Sequence, residues 1–332
     1  MTSPAISDNE AAVPLLSVQN LKMQFPIRRG LTQRQVGTVK AVDDVSFDIA
    51  KGKTFGLVGE SGCGKTTIGK CVLQINQPVA GRILYKGFDL VGADRKTLSE
   101  RRRQMQLIFQ DPYGSLDPRQ PVISILREAI EAGGGRVTDW RARAGELLDI
   151  VELGTAMGRR YPHEMSGGQR QRLGIARALA CEPELIVCDE PVSALDVSIQ
   201  AQIINLFKSI QRRLGISYLF IAHDLAVVRH VSDTIGVMYL GRLVEVTGAR
   251  NLYANPLHPY TRALLSAIPI TDYYEERKRT RVVLKGEVPS PIDTPSGCTF
   301  HPRCPLATEK CRTTIPQLRS VESGHQVACH NV

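Results

Sequence analysis

No apolar run in this sequence approaches the roughly 18 to 20 residues that cross a bilayer, so no membrane-spanning helix is expected. Residues 1–14 lack the basic-then-apolar order of a secretory leader, and the chain is expected to stay in the cytosol. Internal repeats and heptad runs are missing too, which excludes solenoid arrays and long coiled coils. The eight cysteines contain no C-x2-C pair: Cys63, Cys71, Cys181 and Cys188 are dispersed, and Cys298, Cys304, Cys311 and Cys329 cluster late. That distribution does not read as the disulfide framework of a secreted domain.

What is present is a chain of 332 residues, long enough for one large α/β domain with a smaller appendage or for two modest domains. Lys and Arg number 42 against 33 Asp and Glu, a net charge of +9. Apart from Arg101-Arg102-Arg103 and Lys278-Arg279 the basic residues are scattered, which suits a solvated surface and favours anionic partners without naming one.

Val45, Phe47 and Ile49 alternate with polar residues as in a half-buried strand, after a polar start. Phe55-Gly56-Leu57-Val58 predicts a buried strand feeding a glycine-rich loop, with helical spacing from Thr66 through Ile68, Val72 and Leu73. A hairpin is expected near Lys86-Gly87 and a short strand over residues 105–109. The stretch from about 112 to 180 is helical by pattern and punctuated by prolines and Gly133-Gly134-Gly135, which reads as an inserted helical subdomain. Strand patterns return at 185–188 and 218–221, separated by helical spacing over 199–214. Strands alternating with helices predict a parallel sheet covered on both faces. A further hairpin is expected at Gly241-Arg242, and a compositional boundary follows Asn255.

The sharpest local signal is Gly59-Glu60-Ser61-Gly62-Cys63-Gly64-Lys65-Thr66, a phosphate-loop pattern in its required strand-to-helix setting. Its glycines let successive backbone N–H groups converge on phosphate oxygens, at the positive end of the following helix. Lys65 is expected on the β- and γ-phosphates and Thr66 on Mg²⁺, with Thr67 beside them. Parallel sheets build sites at the carboxyl ends of their strands, so Gln110, Asp189, Glu190 and His223 are expected at the same phosphates. Asp189 follows its strand as a Mg²⁺-binding carboxylate would, and Glu190 is the candidate base. His223 is placed to hold the attacking water or the γ-phosphate.

A second glycine-rich run, Met165-Ser166-Gly167-Gly168-Gln169, opens an apolar-striped helix; Ser166 sits at the N-cap, and the glycines permit close approach of an anion. Here the chain resembles the ATP-binding-cassette (ABC) family, whose signature reads Leu-Ser-Gly-Gly-Gln. The family's remaining motifs follow in order, with Gln110 as Q-loop, Asp189-Glu190 as Walker B, Ser193-Ala194-Leu195-Asp196 as D-loop and His223 as switch. The resemblance implies a P-loop NTPase with a RecA-like core, an antiparallel β subdomain and the helical insertion, over residues 14–255. It implies that Phe25 stacks on adenine and that Gln110 helps hold Mg²⁺. It also implies head-to-tail dimers in which each ATP lies between one chain's phosphate loop and the other's signature.

Two further runs, residues 111–119 and 255–262, resemble the cassettes of dipeptide and oligopeptide importers, specifically the F-type ATPase. That likeness implies a non-identical partner ATPase (a homodimer being the other arrangement), two permeases and an extracytoplasmic peptide-binding protein. It places the chain peripherally on the cytoplasmic face of the bacterial inner membrane. Cargo of another kind, such as a nickel complex, fits the same branch; a soluble ABC ATPase acting on nucleic acid does not account for these runs.

Residues 256–332 form the expected Cys-rich extension. Its Cys298, Cys304, Cys311 and Cys329 suit a tetrathiolate site for Zn²⁺ or an iron–sulfur cluster, the uneven spacing favouring the cluster. The resembling importers carry a 4Fe–4S cluster on matching cysteines.

Overall fold

A computed structural model describes residues 13–30, 34–134, 139–268, 284 and 286–332. Its strands form two sheets. Four, in the order β2-β1-β4-β5, make an antiparallel sheet from β1 (Leu16–Arg29), β2 (Arg34–Ile49), β4 (Ala80–Tyr85) and β5 (Phe88–Asp89). The sequence pattern revealed β2 only near its end and missed β1, taking that stretch as a polar lead-in. The reason is a phase break. Leu16 and Val18 are buried, and then Leu21 and Met23, because Asn20 adopts a positive φ of 48° and the pairing with β2 shifts register there.

The central sheet runs β11-β12-β10-β9-β3-β8-β7-β6. Its middle is parallel: β6 (Met105–Ile108), β7 (Leu185–Asp189), β8 (Ser217–Ala222), β3 (Thr54–Val58) and β9 (Thr234–Tyr239). Every residue of β3, β7 and β8 is buried, as a sheet covered on both faces requires, which is why these strands read as unbroken apolar runs. Alternate side chains serve two cores. Leu185, Val187, Leu219 and Ile221 pack toward the antiparallel sheet and α1 (Lys65–Val72). Ile186, Cys188, Tyr218 and Phe220 face the opposite core, shared with later helices.

After α2 (Arg95–Gln104), the region between β6 and β7 is helical: α3 (Pro112–Ser115), α4 (Val122–Ala132), α5 (Trp140–Ile150) and α6 (Gly167–Leu179). α4 buries Val122, Ile125, Leu126 and Ile130, a stripe at helical spacing. α7 (Val197–Leu214) and α8 (Leu225–Val231) complete that side.

Past β10 (Arg242–Gly248) come α9 (Ala249–Ala254), α10 (Pro259–Ser266), α11 (Glu309–Thr313), β11 (Arg319–Glu322) and β12 (His325–Val327). β12 pairs antiparallel with β10, so the tail lengthens the central sheet. Fully buried Glu245 on β10 secures the join: it accepts hydrogen bonds from the amides of Leu257 (2.8 Å) and His258 (3.0 Å) and meets His325 Nε2 at 2.8 Å. A buried carboxylate is tolerated only with such a full set of partners.

Candidate functional site

The parallel register sets β3, β8, β7 and β6 in step, Val58 beside Ala222, Ile221 beside Asp189 and Cys188 beside Ile108. Residues just beyond these strands therefore emerge on one edge. The loop leaving β3 is held by two glycines that nothing larger can replace. Gly59 (φ +156°) would place a Cβ 2.2 Å from the Met238 carbonyl oxygen, and Gly64 (φ +105°) one 2.1 Å from that of Ala41. Gly64 also caps α1 and offers no side-chain acceptor to its first amides, which stay available to an anion.

Lys65 is buried and folds back on its own loop, donating to the carbonyls of Gly59 (2.8 Å) and Glu60 (3.0 Å). Cys63 Sγ lies 3.8 Å from Lys65 Nζ, yet burial outweighs that charge and pushes its thiol up, so Cys63 is a small packing residue and no nucleophile.

Thr66 Oγ1 donates to Asp189 Oδ1 at 2.8 Å. Burial raises the Asp189 carboxyl, Glu190 adds to the rise, and the Thr66 bond opposes both. A cation between them would stabilise the ionised form. Glu190 adopts a positive φ of 47°, and its amide donates to the Ile221 carbonyl at 3.0 Å. Its Oε2 gathers the two other expected groups, accepting from Gln110 Nε2 at 3.1 Å and meeting His223 Nδ1 at 3.3 Å.

Between loop and carboxylates lies a cleft of about 300 Å³, lined by Ser61, Gly62, Gly64, Lys65, Thr66, Thr67, Gln110 and Glu190, with Val39, Ala41 and Pro291. The last three were not anticipated. Val39 and Ala41 carry no chemistry that marks them, and Pro291 arrives from the tail, where the Lys40 amide donates to its carbonyl at 3.2 Å. An open groove alongside joins Ser193, Ala194 and His223 to the same edge.

Phe25 is about one-third exposed and pairs across the sheet with cleft-lining Val39, without itself lining the cleft. Ser166 caps α6 as expected, its Oγ accepting from the Gln169 amide at 3.3 Å while Gln169 Oε1 accepts from the Ser166 amide at 2.9 Å. Gly167 and Gly168 are its first helical residues, and a Cβ on Gly168 would lie 2.7 Å from Ile199 Cγ2. None of residues 166–169 lines the cleft.

The four late cysteines are free and partly or fully buried. Burial comes first in pushing Cys298 up to about 11, with Cys311, Cys329 and Cys304 adding to it. The Cys298 amide donates to the Cys311 carbonyl at 2.8 Å. Each sulfur also meets a donor or hydroxyl: the amides of Phe300 at Cys298 and Leu306 at Cys304, the Thr308 hydroxyl at Cys311 (3.3 Å) and the Asn331 amide at Cys329 (3.5 Å). The expected metal centre is not formed in this conformation: among the described residues, no group of three or more His, Cys, Asp or Glu side chains could hold a metal ion. No helix among the described residues is long and apolar enough to cross a membrane.

Comparison with known proteins agrees with this geometry. The family model described as ABC transporter matches residues 42–193, and the one described as oligopeptide/dipeptide transporter, C-terminal region, matches 244–311. The oligopeptide transport ATP-binding protein AppF of Bacillus subtilis is 52% identical over 318 residues, covering 95% of this chain and 97% of its own. Among solved structures, the ATP-binding cassette MJ0796, a dimer in a post-hydrolysis state bound to ADP and Pi, superposes with a TM-score of 0.62 at 26% identity. It covers 71% of this chain and 99% of its own. The fold and its nucleotide edge are those of an ABC cassette ATPase. The chain belongs to the ABC transporter ATP-binding proteins, in the branch that carries the oligopeptide/dipeptide C-terminal region.

Proposed function

We propose that this ATPase powers uptake of dipeptides or oligopeptides, docked on the cytoplasmic face of the bacterial inner membrane beneath two permeases that receive cargo from an extracytoplasmic binding protein. Its long, half-identical match to an oligopeptide transport ATP-binding protein supports the cargo class. The cassette spans residues 14–255, with the helical subdomain at about 112–180, and the extension spans 256–332.

Lys65 turns from the loop carbonyls to the β- and γ-phosphates, and the loop amides hold the remaining oxygens. Thr66 and Asp189, with Gln110 near them, would hold Mg²⁺, which when bound would supply positive charge against the phosphates. Phe25 packs on the adenine ring. Glu190 takes a proton from water as its oxygen bonds to the γ-phosphorus and the bond to the ADP oxygen breaks; Gln110 and His223 orient that carboxylate and the water. The signature, residues 166–169, lies outside this cleft and serves the loop of a second cassette, a non-identical ATPase. The carrying observation is that Glu190 collects Gln110 and His223 at the mouth of the cleft while Ser166 caps a helix outside it. ATP turnover by the isolated, strictly monomeric chain at the rate of the assembled importer would refute this division.

What supports an iron–sulfur cluster in the tail is residue type, four free cysteines whose sulfurs each meet a hydrogen-bonding group, although they are not gathered into a metal site in this conformation. Cys298, Cys304, Cys311 and Cys329 would hold a 4Fe–4S cluster as the tail's packing centre, with Zn²⁺ the competing occupant. Iron and acid-labile sulfide near four per chain after anaerobic purification is the expected result; zinc alone, or no metal, would dismiss the cluster.

A further inference from the structure

Glu60, the second residue of the phosphate loop, received no role from the sequence, yet all three of its polar groups are engaged. Its carbonyl accepts from Lys65 Nζ at 3.0 Å. Its amide donates to the Tyr260 hydroxyl at 3.0 Å. Its carboxylate receives a forked pair of bonds from Arg303, 2.7 Å from Nη1 to Oε2 and 3.2 Å from Nη2 to Oε1. Both outside partners, Tyr260 and Arg303, lie in the segment matched as the peptide-transporter C-terminal region.

These partners rest on a rigid base. Tyr260 is fully buried, and the side chain of Arg303 is 8% exposed. The Tyr260 ring packs on Tyr239 and Phe300 at centroid distances of 4.8 and 5.4 Å, and the Arg303 guanidinium lies 5.9 Å from the Tyr239 ring centre. Arg303 ends a single helical turn (His301–Arg303) anchored by the His301 amide on the Cys298 carbonyl at 3.0 Å. A desolvated guanidinium on a planar fork fixes both position and orientation of its carboxylate, which a solvated surface pair does not.

We infer that Arg303 is a positioning residue for ATP binding: together with Tyr260 it clamps Glu60 and so sets the path of the phosphate loop and the reach of Lys65. The C-terminal region thereby forms part of the nucleotide machinery of its own chain. Nucleotide and water chemistry stay with the cleft residues, and Arg303 acts only through Glu60. A clamp of this kind acts equally on bound ATP and on the transition state, so its loss raises KM and leaves kcat nearly unchanged.

The test is a double-substitution cycle on the full chain, reading the Kd of MgATP, with KM and kcat measured in the reconstituted importer. R303A and E60A are each expected to raise Kd and KM about tenfold, the scale of a charge-assisted pair, with kcat within about twofold of wild type. The double variant is expected to be no weaker than either single one. R303K, which keeps the charge and loses the fork, and Y260F, which keeps the packing and loses the hydroxyl, are expected to raise Kd about threefold each. If R303A does not fold, these two carry the test. A Kd within twofold of wild type in R303A, or in both R303K and Y260F should R303A fail to fold, overturns the proposal even if the melting temperature falls. So does a double variant whose defect is the product of the single ones.

Discussion

Replacing Glu190 by Gln tests the proton-accepting role proposed for one oxygen in an otherwise preserved site. The two side chains are isosteric, and the amide carbonyl can still accept from Gln110 or His223, which stand 3.1 and 3.3 Å from Oε2. No hydrogen bond joins the Glu190 side chain to residues 59–66, so MgATP affinity is expected to stay within about threefold. Hydrolysis is expected to slow by the contribution of the proposed general base, a factor of roughly 10² to 10⁴, or about 2.7 to 5.5 kcal/mol on the barrier. Melting temperature should hold or rise slightly, because the variant removes a negative charge that opposes ionisation of Asp189. The assay is steady-state phosphate release by the reconstituted importer, with light scattering to follow ATP-dependent dimers, which should persist in the variant. Turnover within threefold of wild type, with normal dimer lifetime, would remove Glu190 from the proton transfer and leave it an orienting group.

G64A combines a left-handed backbone with a Cβ 2.1 Å from the Ala41 carbonyl, whereas G62A has a φ of 79° and open space around its Cβ. Differential scanning should therefore show a fall of more than about 5 °C for G64A and less than half that for G62A. K65A should weaken MgATP binding by about 10- to 100-fold in calorimetry, as the loss of a charge-assisted contact. D189N should melt higher than wild type at pH 7 without nucleotide and lose Mg²⁺-dependent binding. A carboxyl raised above its ordinary 3.8 contributes stability below that value and loses it as pH rises through the raised one, so the two chains should converge in acid. His258, pushed down to about 3 by burial, works oppositely: its contribution is present above pH 6.5 and is lost as pH falls toward 3. Its Nδ1 accepts the Tyr260 amide at the start of α10, and H258N, which keeps that cap, should flatten the melting temperature's pH dependence over this window.

Much of the site was legible because its parts are local. A glycine-rich loop between strand and helix, acidic residues closing an apolar strand and a Ser before two glycines are each decided within a few residues by backbone geometry. β1 escaped notice because a bulge at Asn20 reverses which residues face inward, so the alternation that betrays a strand is broken midway. The tail's strands escaped because β11 and β12 are only four and three residues long, too short for a period to emerge.

The sequence by itself determined the phosphate loop, the order of the strand-end residues and the helical insertion, since each follows from short-range periodicity and from which residues tolerate a given φ. Only the tertiary structure decided that Glu190 Oε2 meets both Gln110 and His223, that Pro291 walls the cleft and that Arg303 reaches back across more than two hundred positions to Glu60. Such contacts depend on how buried faces pack, and packing joins residues whose separation along the chain carries no signal.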